Sequence, residues 1–185
     1  MPQLLCKMAL KSDENMHFHG SDGVHGRMLP DGTLALYWGE SKLYANANDA
    51  IDACLNGLAP FLKDPGGEEA KRDIYLLRDH LDLESEELTK AIKLYFQDGT
   101  PERTNVEVRG AALVGTSIAD YAYPLEDDRK TATAAAAALM KGWQERASLT
   151  IDQNELATFE LELFFVPFPD VQGFRDELRD RLGLT

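Results

Sequence analysis

The sequence predicts an α/β domain built on a mixed β-sheet, and three observations favour this fold class. The stretch Gly26–Ala45 contains a strong turn signal between two apolar segments, which is typical of an antiparallel β-hairpin. Helical and strand-like patterns then alternate to the end of the chain, as they do in parallel βαβ units. The 185 residues suffice for one buried core, so we expect residues 1–185 to form a single domain.

Helices are predicted where apolar residues recur with a period of about 3.6 residues. After the hairpin, apolar residues from Ile51 to Leu62 follow this spacing, and Asn48 is the expected N-cap. The same pattern predicts further helices at about 69–81, from Ser85 to Gly99, at about 130–147 and at 171–183, the last burying Phe174, Leu178 and Leu182.

Two more strands are expected from their apolar character. Residues 105–118 form a mostly apolar segment that predicts a mostly buried strand. Residues 158–168 begin with alternation, since Glu160 and Glu162 would share one face of a strand.

The net charge of −13, from 19 Lys and Arg against 32 Asp and Glu, argues against a protein that binds nucleic acid unaided. DNA chemistry would need a local basic groove, divalent metal ions or a more basic partner. We interpret the basic stripe of Arg175 and Arg179 as a solvated helix face and assign no DNA contact to it.

The sequence also predicts the compartment. No apolar run approaches the roughly 20 residues of a membrane span. The N-terminal segment lacks the features of a signal peptide, so we expect a cytoplasmic protein with no membrane partner. Cys6 and Cys54 have no metal-binding spacing and are expected to be reduced thiols.

The hairpin loop predicts which residues face each other. In the Leu-Pro-Asp-Gly-Thr segment, proline suits the second position of a type I turn, and Gly32 can adopt the left-handed conformation that closes a three-residue loop. Leu29 then pairs with Thr33, and Asp22 lies opposite Glu40. The alternative is a two-residue Asp-Gly loop, which would turn Asp22 to the other face of the sheet.

The three-residue loop brings charged groups together. Lys42 lies two residues beyond Glu40 on the same strand face, so Asp22, Glu40 and Lys42 would converge. Two adjacent carboxylates repel unless a cation lies between them, and their oxygens suit Mg²⁺ or Mn²⁺, with the backbone carbonyl of Ser41 as a further ligand. Lys42 could then orient a water and stabilise charge on a phosphate. The alternative is that Glu40 and Lys42 form an ordinary cross-strand ion pair.

Other chemistry-bearing residues have two interpretations each. His17, His19 and His25 surround Asp22 and could bind zinc or nickel, or could be loop and strand-edge residues. Trp38 and Tyr44 could stack on a nucleotide, or could pack in the core.

The stretch "GSDGVHGRMLPDGTLALYWGESKLYANANDAIDACL", with "RGAALVG" and "FFVPFPDVQGFRDELRDRL" further on, resembles the HamA family, the nuclease subunit of the Hachiman antiphage system. The resemblance implies a restriction-endonuclease-like mixed sheet flanked by helices, carrying the PD-(D/E)xK nuclease signature. It implies metal-dependent DNA cleavage together with a superfamily 2 helicase, HamB. By the same resemblance, Asp22 and Glu40 are metal ligands and Lys42 is the catalytic lysine.

The chain departs from the family in one respect. Relatives usually have a longer region before the aspartate, often with a helix that supplies another carboxylate, whereas 21 residues precede Asp22 here. The nuclease domain could therefore be N-terminally short, or could depend on a partner for the missing part, and Glu14 is a candidate substitute.

Two functions are consistent with these observations. The first is a Mg²⁺-dependent deoxyribonuclease that acts as the effector of antiphage defence with a partner helicase. The alternative is a noncatalytic docking subunit of a helicase complex that uses the same fold. Alanine at Glu40 and Lys42 would distinguish them, because only a nuclease would lose cleavage and phage protection.

Overall fold

The computed structural model describes residues 3–6, 21–65, 67, 85–96, 105–118 and 129–183, and of 3–6, 96 and 129–136 it describes the backbone alone. The strands in this part of the chain are β1 (Gln3–Cys6), β2 (Gly23–Met28), β3 (Leu34–Tyr44), β4 (Val106–Ser117) and β5 (Leu161–Phe168). The helices in it are α1 (Ala47–Lys63), α2 (Glu86–Phe96), α3 (Arg129–Gln153) and α4 (Val171–Leu182). The predicted helix at about 69–81 lies outside the described residues.

The strands form one sheet in the order β1-β2-β3-β4-β5. The pairs β1–β2 and β2–β3 are antiparallel. At the start of β3 and β4, the Leu34 amide donates to the Asn105 carbonyl at 2.9 Å, and at their ends the Thr116 hydroxyl donates to the Ala45 carbonyl at 3.2 Å. These two strands are therefore parallel. Backbone hydrogen bonds also join the beginning of β5 and its end to β4 in the same chain direction, so β4 and β5 are parallel as well. The α/β fold with a mixed sheet and flanking helices is confirmed.

The chain divides into two compact units, and each contains parts of β3, α1, β4 and β5. The first unit comprises Met1–Glu40, Gly57–Ala111 and Leu156–Glu162, and the second comprises Ser41–Asn56, Ala112–Glu155 and Leu163–Thr185. The expectation of a single domain stays a prediction.

The core of the first unit lies between β3 and α2. Leu34 and Leu36 of β3 pack with Leu88 and Ile92 of α2, and all four side chains are buried. The helix begins where the sequence predicts, since the Ser85 hydroxyl accepts a hydrogen bond from the Leu88 amide. Burying these apolar side chains holds β3 against the helix.

The start of α1 differs from its prediction by two residues. The side-chain oxygen of Asn46, rather than that of Asn48, caps the helix and accepts hydrogen bonds from the amides of Asn48 and Asp49 at 2.8 and 3.3 Å. Asn48 is already inside the helix, because an N-cap must precede the amides that it satisfies. The predicted apolar face of α1 is buried, and Cys54 on that face is a reduced cysteine whose thiol donates to the Leu113 carbonyl at 3.5 Å.

The final helix has the predicted bounds but not the predicted burial. Phe174, Leu178 and Leu182 are 40%, 44% and 60% exposed, so the prediction that α4 buries them is wrong. Only the first residue of the helix, Val171, is buried. The period of the apolar residues identifies one helix face, but it does not specify an element that covers that face.

The remaining boundaries shift by a few residues. Helix α3 continues to Gln153, six residues beyond its expected end at 147. Strand β5 begins at Leu161 rather than at 158, because the Phe159 amide closes a turn onto the Leu156 carbonyl at 3.0 Å. None of the helices in the described ranges combines the length and the hydropathy that a membrane span needs.

Candidate active site at the end of the hairpin

The hairpin has the three-residue loop that the sequence favours. The Leu29 amide donates to the Thr33 carbonyl at 2.8 Å, and the Gly32 amide donates to the Leu29 carbonyl at 3.0 Å. Gly32 has a φ of +84°, a conformation that glycine adopts without steric cost. The ladder ends with Gly23 opposite Gly39, and so the alternative two-residue loop is excluded.

Asp31 belongs to this turn alone. Its carboxylate accepts a hydrogen bond from the Thr33 amide at 3.0 Å. This bond holds the pKa of Asp31 below its ordinary value. The Pro-Asp pair in the loop resembles the first letters of a nuclease signature, but its role in the structure is to close the hairpin.

Asp22 lies one residue before the first pair of β2. The register of the hairpin ends at the Gly23–Gly39 pair, so the predicted pairing of Asp22 with Glu40 lies one residue beyond the regular ladder. The Asp22 amide donates to the Gly39 carbonyl at 2.9 Å, which ties its backbone to β3 but departs from the regular ladder, and so the pairing of Asp22 with Glu40 stays a prediction. The two strands lie close together here. A Cβ added to Gly39 would stand only 3.2 Å from the Gly23 carbonyl oxygen. Asp22 is exposed, so the open side of this candidate site carries a carboxylate that solvent can reach.

Glu40 is buried, with 7% of its surface exposed. Its carboxyl group lies against α1 at Gly57, where an added Cβ would stand 3.0 Å from both its Cδ and its Oε1. Because Gly57 has no side chain, α1 leaves a space there, and the Glu40 carboxylate lies in that space. A buried carboxylate is costly unless a cation or hydrogen bonds compensate it, and this environment strengthens its attraction for cations.

An aromatic residue precedes Glu40 on its face of β3. Trp38 precedes it by two residues on the same strand face and stacks on Phe61 of α1, with ring centroids 5.0 Å apart. Trp38 is fully buried, so the interpretation of this residue as part of the core is confirmed. Its indole Nε1 is buried without a hydrogen-bond partner. Tyr44, at the end of β3, is exposed.

Ser41 and Lys42 follow Glu40 on the uninterrupted strand β3 and open the second unit. Both are half-buried. Alternation along a strand sets Lys42 on the same face as Glu40 and Ser41 on the opposite face. The roles assigned to Asp22, Glu40, Ser41 and Lys42 stay predictions.

The donor set suits a hard divalent cation. Carboxylate oxygens such as those of Asp22 and Glu40 are ligands that Mg²⁺ and Mn²⁺ prefer. In the described ranges, no group of three or more His, Cys, Asp or Glu residues is arranged to hold a metal ion. Mg²⁺ commonly uses one or two carboxylates and keeps several waters, so two carboxylates are compatible with this ion.

His25 is not on the same face as Glu40. It pairs with Tyr37 in the ladder, and alternation sets both on the face opposite to Trp38. Burial lowers the pKa of His25, which favours the neutral imidazole at neutral pH. His17, His19 and Glu14 lie outside the described residues.

A charged cluster on that opposite face is absent from the sequence predictions. The Tyr37 hydroxyl accepts hydrogen bonds from Arg109 at 2.9 Å and from Arg27 at 3.0 Å. Arg109 also donates to Glu160 at 2.6 Å and to Glu107 at 2.9 Å. The bond to Glu107 raises the pKa of Arg109 above its ordinary value, so this buried guanidinium stays charged. Its charge is neutralised within the fold, which indicates a structural role.

Gly57 is the other residue that sequence analysis misses. A glycine inside a helical pattern costs about 1 kcal/mol relative to alanine, so it often has a packing reason. A glycine within a helical pattern therefore draws attention to Gly57, but the sequence does not identify the Glu40 carboxylate as the group that lies beside it.

Comparison with known proteins gives one match. A family model described as HamA matches residues 1–182. No curated protein and no solved structure that was compared matches the chain. The family match includes both strands of the hairpin, Gly57 and the final helix.

Proposed function

The chain belongs to the HamA family of the Hachiman antiphage defence, and from this membership we propose that it is a metal-dependent deoxyribonuclease that works in the cytoplasm with a partner helicase of superfamily 2. The proposal is supported by the hairpin, which brings the backbone of Asp22 to Gly39, the residue before Glu40. It is further supported by the burial of Glu40 in the space beside Gly57.

In this mechanism, Asp22, Glu40 and the Ser41 carbonyl would hold Mg²⁺ or Mn²⁺. When bound, such an ion lowers the pKa of water and stabilises negative charge on a phosphate. Lys42 would orient the attacking water and stabilise the charge that develops on the phosphodiester. Trp38, buried beside Glu40, would keep water away from one side of the site.

The net charge fits a nuclease that needs a partner. An acidic chain is repelled by DNA phosphates, so its own affinity for DNA should be low. A helicase that holds DNA would deliver the strand to the active site, and the host chromosome would be spared until then.

The proposal is tested with Glu40→Gln and Lys42→Met, which keep the size of each side chain and remove its charge. In the reconstituted defence complex with Mg²⁺, each should reduce DNA cleavage by roughly 100-fold or more and abolish phage protection. Binding to the partner helicase should be unchanged. Glu162→Gln, at an exposed carboxylate of β5, is the matched control and should cleave like the wild type.

Unchanged cleavage and protection in both variants would contradict the nuclease. That result would favour the noncatalytic docking subunit, in which the acidic residues serve no metal.

A further inference from the structure

Helix α4 presents an apolar stripe to solvent. Phe174, Leu178 and Leu182 are four residues apart, so they lie along one helix face. Each is at least 40% exposed. A helix with this pattern ordinarily buries the stripe against another element. The stripe is therefore an exposed surface with the apolar side chains of a buried one.

The helix is attached at its beginning. The Val171 amide donates to the Ser117 hydroxyl at 3.0 Å, and the Val171 side chain is buried. The Phe174 ring contacts Phe168 with centroids 4.9 Å apart. From residue 172 to residue 183 every residue is exposed. Most of the helix can therefore be reached by another molecule.

Two arginines border the stripe on one side. With about 3.6 residues per turn, Arg175 and Arg179 flank it on one side, whereas on the other side Arg181 forms an ion pair with Glu177 at 2.6 Å. Beside Leu178 is a groove of about 420 Å³, lined by Gln172, Arg175, Asp176, Leu178 and Arg179. This local basic border is opposite in sign to the net charge of −13.

The charges specify the kind of occupant. In an antiparallel pair formed by two copies of this stripe, Arg175 and Arg179 of one copy would meet those of the other, and like charges at the border oppose association. A partner whose apolar residues are bordered by carboxylates would instead place opposite charges together. The three apolar residues extend along about 12 Å of the helix axis, a length that suits two to three turns of a second helix.

We propose that the stripe of Phe174, Leu178 and Leu182 is a docking surface for an amphipathic helix of a partner protein, in which Asp and Glu border the apolar residues. The three side chains of the stripe contact the apolar side chains of the partner. Arg175 and Arg179 contact the carboxylates and select against basic helices. The proposal does not depend on nuclease activity.

The test uses the full chain and two fluorescent synthetic peptides of about 15 residues with leucines at helical spacing. One peptide has glutamates bordering the leucines, and the other has lysines at the same positions. By fluorescence anisotropy, the acidic peptide should bind at least about tenfold more tightly than the basic one. Leu178→Asp should weaken its binding about tenfold or more, and the double variant Arg175→Glu, Arg179→Glu should reverse the preference.

Leu139→Asp is the matched control, because Leu139 is a 38% exposed leucine on α3. This variant should bind the acidic peptide like the wild type. Equal binding of the two peptides, or binding of neither, would overturn the proposal. Preferential binding of the chain to phosphatidylglycerol vesicles would also overturn it. A dimer observed by light scattering that Leu178→Asp converts to a monomer would overturn it as well, because a second copy would then occupy the stripe.

Discussion

Glu40 and Gly57 depend on each other. The carboxylate is buried where α1 lacks a side chain, and an alanine methyl there would stand 3.0 Å from the carboxyl carbon. That separation is shorter than ordinary van der Waals contact. An added methyl group would therefore displace the carboxylate or the helix backbone. Gly57 therefore positions the proposed metal ligand.

At the residue scale, Gly57→Ala should lower the free energy of unfolding by about 1–3 kcal/mol, because the crowding outweighs the gain in helix propensity. Gly142→Ala is the matched control on α3, where nothing lies within 4 Å of an added Cβ. It should raise the free energy of unfolding by about 0.5–1 kcal/mol. Urea denaturation of both variants measures these opposite signs.

The contact itself can be tested with Glu40→Asp, which shortens the carboxylate side chain by one methylene. In that background Gly57→Ala should lose most of its cost, and the two substitutions should therefore be non-additive. An unchanged cost would show that the methyl group is crowded by something other than the Glu40 carboxyl group.

At the element scale, a charged contact joins α1 to α3 within the second unit. Arg146 donates to both carboxylate oxygens of Asp52, and the Thr150 hydroxyl donates to one of them at 2.6 Å. The bond from Arg146 lowers the pKa of Asp52 below its ordinary value of 3.8. The folded state therefore favours the ionised carboxylate.

This shift determines how stability depends on pH. A carboxylate with a lowered pKa in the folded state stabilises the protein above its unfolded pKa, and this contribution is lost as pH falls through the folded pKa. The melting temperature of Asp52→Asn should thus lie below that of the wild type at pH 7. The difference should shrink as the pH falls below about 4.

Thermal melts followed by circular dichroism at several pH values measure this difference. Asp152→Asn changes an exposed carboxylate of α3 and is the control, with a melting temperature close to that of the wild type at each pH. A difference between Asp52→Asn and the wild type that stays constant down to pH 2 would contradict the role of the ion pair.

At the scale of the whole molecule, the acidic charge predicts weak intrinsic affinity for DNA. The chain alone should show little binding to duplex DNA below about 10⁻⁵ M at physiological salt. Under the proposed mechanism Glu40→Gln does not cleave DNA, so the DNA binding of this variant is measured by anisotropy in the presence of Mg²⁺. Rapid degradation of DNA by the wild-type chain with Mg²⁺ and no partner would contradict the proposed dependence on a helicase.

Local chemistry explains which features the sequence predicts. Proline, aspartate and glycine in the loop after Leu29 constrain the backbone directly, and so the hairpin register up to the Gly23–Gly39 pair can be derived from them. The Ser85 cap of α2 follows from the same kind of reasoning. Charge and hydropathy patterns likewise need no knowledge of distant residues.

Tertiary structure alone decides what covers each surface. Periodicity identifies Phe174, Leu178 and Leu182 as one face, yet they are exposed, because burial depends on a neighbouring element that the helix sequence does not specify. The space beside Gly57 is filled by Glu40, which lies 17 positions earlier in the chain. By itself, then, the sequence determined the hairpin, its register and the alternation of helices and strands, since these arise from backbone conformations of nearby residues. Packing between distant segments decided the burial of the carboxylate and the exposure of the last helix.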